Sequence, residues 1–185
     1  MTRSQRLREQ TISTETHWES QLNDLLTSSS PKSKVALVGV GHPMRGDDYV
    51  GSFIAKRIIE ATDSSFPDHV FIFDAEDSPE SLISTLSKIG VRHVVFIDAC
   101  EMRKRPGEMA LLSVAETSYP FFTTHGIPLK VLAENLLAGC EVWVLSIQPK
   151  QSELEEEISP ELREAAEHVA DFIIASLSEG GDEIA

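Results

Sequence analysis

Two adjacent carboxylates, Asp47 and Asp48, close the stretch Gly41-His42-Pro43-Met44-Arg45-Gly46-Asp47-Asp48. The stretch follows the apolar run VALVGV (35–40) and precedes a helix-like pattern. Strand, glycine-rich turn and helix is the layout of a phosphate-binding loop, and the spacing Gly41-x4-Gly46 fits one. Such a loop continues with Lys and then Ser or Thr, which hold phosphate and magnesium. Two acids in their place repel a phosphate and attract a cation.

More polar groups fall at the ends of apolar runs. HVFIFDA (69–75) reaches Asp74, HVVFIDA (93–99) reaches Asp98, and EVWVLSIQP (141–149) reaches Gln148. His125, in FFTTHGIPL, precedes a predicted helix. Singly, each has an ordinary structural use: Asp48 as a helix cap, Asp74 and Asp98 on turn amides, His125 as a loop histidine. Together they strain that account, because like charges brought close raise one another's pKa unless a cation lies between them. Carboxylate oxygens with a neutral imidazole suit zinc or nickel and leave positions open for water or a substrate group.

The elements that must carry these groups alternate. KVALVGVG (34–41), HVFIFDA, HVVFIDA and EVWVLSIQP read as strands buried on both faces, and MALLSV (109–114) as one more. Val50, Phe53, Ile54 and Ile58 line one face of a helix, and Ser78-Pro79 opens another that turns Leu82, Ile83, Leu86 and Ile89 inward. A third helix runs from Pro128 to about Ala138, and Ser159-Pro160 begins the last. The link from HVVFIDA to MALLSV is too short for a crossover helix, so that strand pairs antiparallel. The pattern predicts a single three-layer α/β domain: a twisted, mostly parallel five-stranded sheet with one antiparallel strand and helices on both faces. Ligands bind such sheets beyond the carboxyl ends of the strands, the edge to which all these polar groups run. Residues 1–33 read as a polar N-terminal extension with a short helix near Trp18–Leu26, 34–178 as the domain, and 179–185 as a disordered tail.

The chain's 185 residues carry a net charge of -14, which argues against nucleic acid as a partner. Neither a membrane span nor a secretory signal is visible, so the expected location is cytoplasmic. Cys100 and Cys140 read as buried free thiols. Met44 stands where a dinucleotide fingerprint needs Gly, and the H-E-x-x-H and G-x-S-x-G motifs are absent.

With VGVGHPMRGDDYVG (38–51), FIDA (96–99), TTHGIPL (123–129) and SIQP (146–149) in this order, the chain resembles the hydrogenase maturation endopeptidases over about residues 34–175. The likeness is greatest to the branch acting on hydrogenase-3-type large subunits. It implies an endopeptidase that removes the C-terminal extension of a nickel–iron hydrogenase large-subunit precursor after nickel insertion. It places the metal-contacting and catalytic residues on Asp48, Asp98 and His125, with the nickel carried by the substrate and zinc or another divalent metal able to enter the site in vitro. Asp74 then falls where the family selects its partner. Gln148 and Thr124 are further candidates for holding the bound peptide or orienting His125. The expected partner is the precursor, and the expected state a monomer. His42 replaces the family's usual Asn, and Ala75-Glu76 replace a pair of glycines. Rival readings are a metal-binding maturation chaperone that cuts nothing and a metal-dependent hydrolase of a small molecule.

Overall fold

The computed structural model describes residues 17–27, 33–62, 66–115, 123–124, 127–128, 137, 139–150 and 157–179. In chain order these form helix α1 (His17–Thr27), strand β1 (Val35–Gly39), a 3-10 turn (Gly46–Tyr49) and helix α2 (Val50–Ala61). Strand β2 (Val70–Asp74), a second 3-10 turn (Pro79–Leu82), helix α3 (Ile83–Ile89) and strands β3 (His93–Ala99) and β4 (Met109–Ser113) follow. Two short strands, β5 (Thr123–Thr124) and β6 (Ile127–Pro128), then strand β7 (Glu141–Ile147) and helix α4 (Pro160–Glu179) complete the described chain.

The main sheet has the order β2-β1-β3-β7-β4. Strands β2, β1, β3 and β7 run parallel and β4 pairs antiparallel with β7. The predicted architecture is the one observed, including the antiparallel strand that the short β3–β4 link demanded. Because the side-chain period of a strand is two, β1 sends Val35 and Leu37 to one face and Ala36 and Val38 to the other. The first face joins Val95, Ile97, Leu145 and Ile147 in a core that takes in α1, α2 and α4. On the second face Val94, Phe96, Val142 and Val144 meet Leu86 of α3 and the nearby Val91 and Leu137.

Of residues 1–33, set apart by their polar composition, the structure describes 17–27 and the end of the link to β1. That helix buries Trp18, Leu22 and Leu26 in the first core, at the i, i+4, i+8 spacing of one helix face. Trp18 meets Phe172 of α4 edge to face, with ring centroids 5.3 Å apart. Removing a side chain like Leu22, fully buried, costs about 2–5 kcal/mol. The helix expected from Pro128 begins differently: Pro128 sits in β6, paired with Thr123, and residues 129–136 lie outside the described residues.

Helix α2 is drawn onto the sheet by a close approach of backbone. A Cβ at Gly51 would meet the carbonyl oxygens of Ile97 at 1.9 Å and Val40 at 2.4 Å, so only glycine fits there. Gly41 has φ +146°, and a Cβ there would meet the Asp48 carbonyl oxygen at 2.0 Å. These contacts fold the Gly41–Tyr49 loop tightly over the carboxyl ends of β1 and β3.

Candidate active site

The two acids of the loop separate completely. Asp47 turns inward and is 4 % exposed. Its Oδ2 accepts the Lys150 backbone N–H at 2.9 Å and its Oδ1 accepts that of Ser159 at 2.7 Å. It thus ties the loop to both ends of the connection from β7 to α4. Asp48 lies in the 3-10 turn, ahead of Tyr49, the residue that precedes α2 without a side-chain cap. Its charge acts instead on Asp98.

Asp98 is the penultimate residue of β3 and is 6 % exposed. Burial first, and the field of Asp48 second, push its carboxyl well above the ordinary value of 3.8, against a hydrogen bond from the Ala99 N–H that lowers it. Among the described residues no basic side chain forms an ion pair with Asp98. A buried carboxyl under this field is stabilised by keeping its proton or by taking a cation.

Cys100 does not arm this site. Burial and then the charge of Asp98 push its thiol well up; the Ser146 hydroxyl beside it pulls the other way, and Asp48 adds a smaller upward push. A thiol so placed stays protonated and is a poor nucleophile. Ser146 Oγ has no hydrogen-bond partner of ordinary geometry among the described residues, although it is fully buried at the site's floor. Both cysteines are free, as their number and spacing predicted, but only Cys100 is buried; Cys140 is half-buried.

Asp74 reaches the same edge but not the same side. β1 aligns Gly39 with Asp74 on one flank and with Ile97 on the other. Asp98 is therefore one residue out of step with Asp74, and the pleat turns the two to opposite faces. Asp74 faces α2, where Ser52 Oγ lies 2.6 Å from Oδ1 and Lys56 Nζ 3.2 Å from Oδ2. The Glu76 N–H also donates to it, at 3.1 Å. Ser52 Oγ stands 2.8 Å from the Gly41 carbonyl oxygen as well, so its one proton serves either partner and links Asp74 to the start of the loop. Burial alone would lower the Lys56 amine, but hydrogen bonds to Asp74 and Tyr49 outweigh it and raise the pKa.

Gln148 is 3 % exposed and all four of its amide capacities are used. Oε1 accepts the N–H groups of Met102 (2.7 Å) and Lys104 (3.1 Å), and Nε2 donates to Glu101 (3.0 Å) and the Pro149 carbonyl (3.1 Å). The residue expected to meet a bound peptide is spent on the loop that follows Asp98. Thr124 pairs with Ile127 across the small β5–β6 ladder. His125 lies outside the described residues. His42 accepts the Met44 N–H on Nδ1 at 3.1 Å, which leaves the neutral ring's proton on Nε2.

Sequence reasoning missed Asp47 as a clamp and Ser52 as a link. Ser52 left no signal: at helical spacing it falls on the side of α2 away from the apolar face of Val50, Phe53, Ile54 and Ile58. Asp47 left none, because its partners lie 103 and 112 residues away.

The α/β fold thus sets Asp98 within the field of Asp48 beyond its parallel strands, an arrangement that repels a phosphate. Residues 56–176 match the hydrogenase maturation protease family, a stretch that includes Asp98 and starts after Asp48. The Escherichia coli K12 hydrogenase 3 maturation protease is 30% identical over 115 residues, 61% of this chain and 71% of that protein. The crystal structure of the NiFe hydrogenase maturation protease HycI of Thermococcus kodakarensis superposes with a TM-score of 0.73 at 28% identity, covering 85% of this chain and 99% of the other. The solution structure of the endopeptidase HycI of Escherichia coli gives 0.66 at 26%, covering 80% and 94%. The chain belongs to the hydrogenase maturation protease family and is a peptide hydrolase. Among the described residues no helix is long and apolar enough to cross a membrane.

Proposed function

We propose that this protease removes the C-terminal extension of a nickel–iron hydrogenase large-subunit precursor, and that Asp48, Asp98 and His125 read the nickel carried by that precursor. The observation that carries the reading is the buried Asp98, under the field of Asp48 and without a basic partner among the described residues. A divalent cation arriving with the substrate relieves both the burial and the repulsion. A precursor without nickel offers the pair nothing to bind, and the difference in affinity is the check on metal loading. Hydrolysis adds a water oxygen to the scissile carbonyl carbon and returns a proton to the departing amine. Holding the nickel requires the carboxylate form of Asp98, so the proton that its raised pKa retains in the free protein leaves as the loaded precursor docks. Asp47, Asp74 and Gln148 support this chemistry by fixing the two loops that flank it. The protein is expected to act in the cytoplasm.

Mixing the protein with nickel-loaded and nickel-free precursor from the same genome, and reading intact masses, tests the proposal. Release of a C-terminal peptide from the loaded form alone is the expected result. Equal cutting of both forms would remove nickel from the account, and no cutting of either would remove the substrate.

A further inference from the structure

In a chain with 30 acidic and 16 basic residues, Arg103, Lys104 and Arg105 stand together, and all three are exposed. They occupy the loop that leaves β3 just after Asp98, at the carboxyl edge of the sheet. A run of charge on a surface is ordinarily a solvated face. Three features set this one apart.

The loop is built from within. Buried Gln148, at the end of the neighbouring β7, takes up the N–H groups of Met102 and Lys104, while its own backbone accepts from Gly107 N–H and donates to Glu108 carbonyl. Glu101 receives the Gln148 amide on one oxygen and the Arg103 N–H, at 2.7 Å, on the other. A buried polar side chain that takes up two of a loop's backbone N–H groups and holds its Glu101 carboxylate fixes the direction in which that loop presents its side chains.

The backbone is also held where side chains rarely go. Arg103 has φ +58°, the left-handed region that glycine or asparagine fills without strain. An arginine there is kept in place by its surroundings.

The charges themselves are largely uncommitted. Arg105 has only a long contact to Glu108, at 3.8 Å, and among the described residues Arg103 and Lys104 pair with no acid. Desolvating Arg103 and Lys104 against a partner therefore breaks no ion pair among the described residues.

We propose that the Arg103–Arg105 loop is a docking site for an acidic segment of the precursor protein, which it orients over the Asp48–Asp98 pair. This rests on the reading that such a precursor is the substrate. Arg103 is five positions beyond Asp98 in the chain, so an extended peptide of about five residues or fewer covers the distance, at ~3.5 Å each. A net charge of -14 disfavours an acidic partner on the chain as a whole, so one basic loop sets orientation and encounter rate more than total affinity. The same net charge disfavours nucleic acid as the occupant.

The test measures binding of nickel-loaded precursor to the full chain and to the double variant Arg103→Glu, Lys104→Glu, at low and at physiological salt. The proposal expects a dissociation constant at least about tenfold weaker for the variant, with the wild-type salt dependence reduced. The neutral Arg103→Gln, Lys104→Gln pair should fall between, and unfolding curves for all three proteins should coincide. At saturating precursor the variants should cut at the wild-type rate, which separates docking from chemistry. Binding within twofold of wild type would overturn the proposal, as would a loss confined to a DNA oligonucleotide used as an alternative polyanion. Wild type that binds with the predicted charge dependence yet fails to cut would leave the docking site standing and defeat the assigned reaction.

Discussion

Asp74 and Asp98 end neighbouring apolar runs of almost the same wording, FIFD and VFID, yet the fold gives them opposite fates. Asp74 faces helix α2 and is answered by Ser52, Lys56 and the Glu76 amide. Asp98 faces the other layer, where the nearest charge is a second acid. An acid whose partners are already present is part of the scaffold. An acid that is buried, held above its ordinary pKa and without a basic partner among the described residues is a candidate for function rather than scaffold. Asp47 and Asp48 repeat the contrast between adjacent residues: one grips two backbone amides across the fold, the other faces Asp98.

Substitutions should split along this line. Asp98→Asn is expected to have the largest effect on function, lowering cleavage of nickel-loaded precursor by at least about 100-fold, while leaving the protein folded. It should also stabilise it. The folded chain holds the Asp98 proton more tightly than the unfolded chain, so the cost of ionising it is absent below about pH 3.8. That cost grows as pH rises through this value and is fully present only above the raised, folded pKa. The amide carries no charge at any pH, so the stability gained over wild type in urea titrations should be clear at pH 7 and shrink as pH falls toward 4.

Asp74→Ala should do the reverse. It leaves Ser52 and Lys56 without their shared acceptor and is expected to cost about 1–3 kcal/mol of unfolding free energy, with cleavage by the folded protein within a few-fold of wild type. A large loss of nickel selectivity in Asp74→Ala, with stability unchanged, would collapse the distinction. The smallest effect belongs to Lys56→Met. Its side chain is 38 % exposed, so loss of the pair with Asp74 is worth at most about 1 kcal/mol, read as a small shift in the urea midpoint.

Much of this was legible beforehand for physical reasons. Strands buried on both faces read as unbroken apolar runs, as VALVG and HVVFIDA do, and a nine-residue link between β3 and β4 leaves no room for a crossover. Helix α1 was half visible: Trp18, Leu22 and Leu26 keep helical spacing, but the polar residues around them disguised how fully it enters the core. The face on which an acid emerges was not legible. It depends on register, and the alignment of Asp74 with Ile97 rather than Asp98 is set by how β1 pairs on its two flanks. Nor could sequence separate Asp47 from Asp48, since the amides that claim Asp47 come from Lys150 and Ser159.

The most direct test of the central claim compares the affinity of nickel-loaded and nickel-free precursor for the wild-type chain and for the Asp48→Asn, Asp98→Asn double variant, by calorimetry under conditions that block turnover. The account predicts that wild type prefers the loaded form by about tenfold or more, roughly 1.4 kcal/mol, and that the double variant binds both forms alike. An undiminished preference in the double variant would contradict it, because the nickel would then be read somewhere other than at Asp48 and Asp98.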